Sequence, residues 1–169
     1  MLDFMVIALP RSATAWTANF LTTERSMCWH EPLISHDLAD LDEMKMSGRF
    51  GIADTQLCLL GAEELNRHKA RKLIIHREFE PVAASLTKLN LPLAHGVADA
   101  LAQAAERLYD IEGWHLPYDG LFKAHTFQPA FEWLTNMQFD KARHAMLKDM
   151  NVQNTAAIKA VQELVEGLL

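Results

Sequence analysis

The residues best equipped for chemistry are an arginine and two hydroxyls packed into one short turn. Pro10-Arg11-Ser12-Ala13-Thr14-Ala15-Trp16 directly follows the apolar run of residues 2–9. A turn between a buried strand and a helix leaves backbone N–H groups unpaired, and these attract anions. Arg11 adds a permanent charge whose fork fits phosphate or sulfate oxygens, and Ser12 and Thr14 add hydroxyl donors. The segment reads as an oxyanion site, or more plainly as a helix start with Ser12 or Thr14 as its N-cap and Arg11 in solvent. It is not a Walker A loop, which needs a Gly-Lys pair that the chain lacks, so an ATP-dependent kinase is disfavoured. A second pair, Arg77 and Ser85, stands eight residues apart behind the apolar segment 72–76. By themselves the two read as a surface ion pair and an ordinary helix serine.

These groups work only if the chain positions them. Residues 2–9 are apolar without helical spacing and end at Pro10, as a buried parallel strand would. Residues 14–23 then read as a helix, 26–30 as a strand, and 37–46 as a helix with Gly48 just past its end. Residues 50–54 are a third strand, 62–69 are helical by composition, and 72–76 are a β-branched buried strand. Pro81 fits a first helical turn, and the helix continues over 82–89. Residues 97–110 form the clearest helix and 114–118 the last strand. The chain is helical from 128 onward, with a break near Asn136. Alternation of this kind predicts an α/β domain with a mainly parallel sheet flanked by helices. One domain over 1–169 is expected, with a helical C-terminal part from about 127. Ligands of such sheets bind beyond the carboxyl ends of the strands, which here means residues 10–16, 28–31 and 76–85.

Bulk properties narrow the partners. A net charge of -6 argues against a general affinity for nucleic acid. Cys28 and Cys58 have no disulfide or metal-ligand spacing and read as small core residues of a reduced compartment. The apolar N-terminus is too short for a signal peptide, contains Asp3 and lacks a basic leader. No apolar run reaches membrane-spanning length, so a cytoplasmic address is expected. The eight histidines include no H-E-x-x-H and no ligand spacing, so no metal is expected.

The turn at 10–16 resembles the 5′-phosphosulfate loop of the sulfotransferases, usually P-(K/R)-S-G-T-T-W after an apolar strand. Pro10, Arg11, Ser12, Thr14 and Trp16 match, while Ala13 replaces the glycine and Ala15 the second threonine. That family also carries an arginine at a later strand end and a serine eight positions on, which hold the 3′-phosphate. Arg77 and Ser85 stand at that spacing. Leu116-Pro117-Tyr118-Asp119-Gly120-Leu121 is similar to the Y-E-D-L stretch, whose tyrosine lies near the adenine. The likeness spans roughly residues 2–135 on about a dozen positions. No R-K-G-x-x-G closing segment is present. Lys141, Arg143 and Lys148 either take its place or form a solvated helix face.

The resemblance implies a P-loop nucleotide-hydrolase-like three-layer sandwich and 3′-phosphoadenosine 5′-phosphosulfate as co-substrate. It assigns the nucleotide to Arg11, Ser12, Ala13, Thr14, Ala15, Trp16, Arg77, Ser85 and Tyr118, with Trp16 and Tyr118 as base contacts or else core packing. The acceptor would be a hydroxyl or amine of a small molecule, sugar or peptide. Arg11 would stabilise the leaving phosphate, and Glu31, or alternatively His30, would take the acceptor proton. His36 and His125 are more distant options. A non-catalytic nucleotide-binding module is the alternative, and a small nucleotide kinase a weaker one. An exposed apolar face on residues 97–110 or 156–169 would suggest a homodimer.

Overall fold

The computed structural model describes residues 1–89 and 95–150. β1 (Phe4–Ala8) is buried along its whole length, as a strand must be when helices cover both faces of its sheet. Its side chains alternate. Met5 and Ile7 join one core, and Phe4, Val6 and Ala8 join the other. β2 (Ser26–His30), β3 (Arg49–Asp54), β4 (Arg71–His76) and β5 (Trp114–Pro117) complete a sheet in the order β2-β3-β1-β4-β5. Every pairing is parallel. Phe4 stands opposite Gly51 on β3, where a Cβ would come within 2.2 Å of the phenyl ring, so the close approach needs glycine there.

The connections explain the layers. The chain leaves the central β1 toward the β2 edge, and later leaves β3 and β4 toward the β5 edge. Right-handed crossovers then put the two sets of helices on opposite faces. α1 (Thr14–Leu21), α6 (Ala124–Thr135) and the chain before α7 (Lys141–Leu147) pack Trp16, Phe20, Phe127, Phe131 and Phe139 on one face. Each such ring, fully removed from water, contributes roughly 1.5–3 kcal/mol. On the other face α2 (Leu38–Glu43), α3 (Ala62–Arg67), α4 (Phe79–Thr87) and α5 (His95–Arg107) bury Leu41, Leu65, Val82, Leu86, Leu101 and Ala104. The apolar face of α5 is therefore spent inside the core. The expected helical segment 156–169 lies outside the described residues.

Several boundaries differ from expectation for local reasons. The helix expected over 37–46 stops at Glu43, where Met44 turns extended and its N–H closes a short last turn onto Leu41 O. α4 starts at Phe79, so Pro81 is its third residue, where a missing N–H costs no helical bond. α6 starts at Ala124 because Lys123 O already accepts from Thr126 N and Phe127 N. It ends where expected, with Asn136 in the left-handed region at φ 54° donating its N–H to Glu132 O. β5 stops at Pro117, and Tyr118 opens a 3-10 turn (Tyr118–Phe122). No helix among the described residues is long and apolar enough to cross a membrane. Cys28 and Cys58 are free and buried, and burial pushes both thiols up, Cys58 to about 12.

Candidate functional site

Beyond the carboxyl ends of β1 and β4 the chain departs in opposite directions, which is the switch point where ligands of open parallel sheets bind. The turn after β1 carries unusual backbone. Arg11 (φ 66°) and Ala13 (φ 63°) both occupy the left-handed region, and so does Glu31 (φ 53°) after β2. These are three of the four non-glycine residues with positive φ among the described residues, the fourth being the helix-ending Asn136. Such strain persists where the surrounding fold imposes it, and it gathers at functional turns.

Ala13 itself occupies the N-cap position of α1, and no side chain caps the helix. The expectation that Ser12 or Thr14 would cap it is therefore corrected. The first-turn N–H groups stay unpaired within the helix, because Thr17 N is the first to find a carbonyl, Ala13 O at 2.9 Å. Ser12 Oγ is buried without a hydrogen-bond partner, and such a hydroxyl costs stability until something satisfies it. Thr14 Oγ1 turns away from the helix end to His30 Nε2, 3.1 Å distant.

Ser85 and Arg77, the pair expected to grip an anion, both reach Arg11. Arg11 Nε donates to Ser85 Oγ at 3.0 Å, joining the β1 turn to α4 across 74 residues of sequence. Arg77, just past β4, donates from Nη1 to Arg11 O. Its guanidinium lies over the Tyr118 ring, 4.2 Å from the centroid. Four predicted residues from four segments thus form one connected cluster. Ala15 occupies the first turn of α1 beside them.

Trp16 is placed elsewhere. It is 3% exposed, its ring is parallel to Phe20 at 5.5 Å, and its indole N–H donates to Leu147 O at 2.7 Å. No face of the ring is open to a base, so core packing accounts for it. Arg143 is likewise a helix cap. Its Nη2 donates to Asn19 O at 2.7 Å and Thr22 O at 2.8 Å, at the far end of α1 from the turn after β1.

A second cluster sits beside the first, at the ends of β2 and β3. His30 Nε2 lies 3.5 Å from Glu31 Oε1. Glu31 is 8% exposed and accepts from Thr55 N at 3.2 Å and Thr55 Oγ1 at 3.0 Å. Register explains this: Glu31 N donates to Ala53 O, which sets Glu31 level with Asp54. Burial and the neighbouring Asp54 carboxyl push Glu31 up to about 8, despite the opposing Thr55 hydrogen bonds. Burial also raises Asp54, while it lowers His30 to about 4, leaving the imidazole neutral at ordinary pH.

Asp54 and Thr55 escaped the sequence reading. The only available signal was an acidic residue closing an apolar strand, since the pairing depends on β2 lying against β3. Among the described residues no group of three or more His, Cys, Asp or Glu could hold a metal ion.

The molecule is thus an α/β protein with an all-parallel five-stranded sheet and a basic cluster at its switch point. No family model matches the chain, and no curated protein matches it.

Proposed function

We propose that this chain is a sulfotransferase on a P-loop-like fold, moving a sulfuryl group from 3′-phosphoadenosine 5′-phosphosulfate to a hydroxyl or amine acceptor. The observation that carries the reading is the Arg11–Ser85–Arg77–Tyr118 cluster. Two permanent cations meet on a turn whose helix start offers free N–H groups, as a nucleotide with anionic groups at both its 3′ and 5′ positions requires. The order β2-β3-β1-β4-β5, with the anion turn leaving the central strand, supports the P-loop-like form of the fold.

In this reading Arg77 and Ser85 hold the 3′-phosphate, and Tyr118 keeps Arg77 flat and oriented. Arg11 and the first-turn N–H groups of α1 meet the 5′-phosphosulfate. The acceptor oxygen or nitrogen attacks sulfur and a new bond forms to it. The bridging S–O bond breaks, and its electron pair leaves on the 5′-phosphate, where Arg11 stabilises the growing charge. The acceptor proton passes to the Glu31 carboxylate, which is the base in its ionised form at mildly alkaline pH. A carboxyl near 8 is a stronger base than an ordinary one and is matched to mildly alkaline conditions. His30, held near 4, is the weaker base of the two.

The acceptor class is a small molecule, sugar or peptide. A binding module that holds nucleotide without turnover is the second reading, favoured by the shallow exposure of Glu31 at 8%. Release of adenosine 3′,5′-bisphosphate from the sulfated nucleotide, followed with a panel of hydroxyl and amine acceptors, separates them. Acceptor-dependent release that Glu31→Gln abolishes supports the enzyme. Tight binding without release supports the module.

A further inference from the structure

We infer that Asp54 is the positioning residue of this site: it ties the turns after β2 and β3 together and shares a single proton with Glu31. The inference rests on the sulfotransferase reading for its catalytic meaning, but its structural content stands on hydrogen bonds. Asp54 Oδ2 accepts from Leu33 N at 2.8 Å, in the 3-10 turn Pro32–Ile34 that follows Glu31. Asp54 Oδ1 accepts from Gln56 N at 2.8 Å, in the 3-10 turn Gln56–Leu59 that follows β3. One carboxylate thus fixes both strand exits, and with them the left-handed backbone of Glu31 between β2 and its turn.

The same bonds decide where the proton sits. Both Asp54 oxygens take short bonds from backbone N–H groups, which favours the ionised form. Glu31 accepts longer bonds, 3.0 to 3.3 Å, all from Thr55. Glu31 stands level with Asp54 on the neighbouring strand, and two buried interacting carboxyls cannot both ionise without cost, so Glu31 carries the shared proton. The other titratable groups around the pair do not replace this arrangement. His30 on β2 is neutral. Cys58, on the turn after β3, is a buried thiol raised by burial and by Glu31, with Arg107 of α5 pulling it the other way. Asp54 therefore raises the proton affinity of Glu31 and aims its carboxyl at the same time, without touching substrate.

The test is a carbon-13 titration of the Glu31 and Asp54 side-chain carboxyls in the wild-type protein and in Asp54→Asn, alongside binding of adenosine 3′,5′-bisphosphate. In the wild type one proton is expected across the pair at pH 7, on Glu31. In Asp54→Asn the Glu31 midpoint should fall by more than one pH unit. The rising limb of any transferase pH profile should move down with it, while bisphosphate affinity stays within twofold. Two ionised carboxyls in the wild type at pH 7 would overturn the inference, and so would a Glu31 midpoint unmoved by the substitution. The wild-type titration decides even if the variant fails to fold. Absence of bisphosphate binding would sink the functional reading, yet the carboxyl titration would still judge the role of Asp54.

Discussion

Arg77 lies over the ring of Tyr118 with its guanidinium carbon 4.2 Å from the ring centroid, while its Nη1 is tied to the Arg11 carbonyl. The guanidinium is thereby held on one face and at one edge by segments that follow different strands. A cation pinned this way loses little freedom when an anion arrives, so its binding energy is not consumed in ordering it.

The stacking predicts a graded effect at Tyr118. Tyr118→Phe keeps a ring under the guanidinium and should bind adenosine 3′,5′-bisphosphate within about threefold of wild type, because the cation–π contribution is retained. Tyr118→Leu removes it and should weaken binding roughly 3- to 30-fold, the range expected for a partly desolvated pair. Calorimetric titration distinguishes the two. Equal affinities would mean that Tyr118 does not orient Arg77.

Ala13 holds φ 63° at the start of α1. An alanine there bears a cost of about 1–2 kcal/mol that glycine escapes, partly offset by the extra freedom glycine gives the unfolded chain. Ala13→Gly should be neutral or up to about 1 kcal/mol more stable by urea unfolding. Ala13→Val, β-branched at positive φ, should lose about 2 kcal/mol or more. A marked loss in the glycine variant would show that this backbone is not strained.

The buried ionisable groups set the pH dependence of stability. His30 and His76 are each lowered from 6.5 to about 4 by burial, with His115 adding to the effect on His76. The folded protein binds fewer protons there than the unfolded chain, so these histidines add stability as pH rises from about 4 to 6.5. Glu31 works in the opposite sense. Its folded value of about 8 against 4.5 means that the folded state keeps a proton the unfolded chain has lost. Its contribution is fully present below about 4.5 and drains away as pH climbs to about 8, with Asp54 raised in the same direction. The two effects oppose each other up to about 6.5, and only the loss remains from there to about 8. The melting temperature should therefore fall between pH 6.5 and 8, by an amount on the order of 1–3 kcal/mol of stability. Glu31→Gln should flatten that limb. A wild-type melting temperature that is level or rising over this range would contradict the buried, protonated Glu31.

Part of this arrangement is legible in the sequence. β2 falls on the expected residues 26–30, because a short apolar run stopped by Glu31-Pro32 has few alternatives. Parallel strands bring their carboxyl ends together, so the turns after β1 and β4 were expected side by side, but the spacing paired Ser85 with Arg77 and gave no sign of its bond to Arg11. Trp16 was harder. The same motif position serves a ligand or a core, and here Phe20 of its own helix and Phe127 of α6, far along the chain, claim its ring. Ser12 and Thr14 looked like helix caps because their types favour that role, but the left-handed Ala13 took the cap position and turned Thr14 toward His30. Asp54 was out of reach, as nothing in the spacing of residues 31 and 54 shows that two edge-side strands lie in register.

Under the proposed function Arg11 and Arg77 form one site for a nucleotide bearing both 3′- and 5′-phosphates. Thermal unfolding of the purified protein with adenosine 3′,5′-bisphosphate, against AMP, ADP and ATP, tests it most directly, because a ligand bound only to the folded state raises the melting temperature by mass action. The account predicts a rise with the bisphosphate that greatly exceeds that with AMP and is lost in Arg77→Ala. A larger rise with ATP, or no rise with the bisphosphate at millimolar concentration, would contradict it.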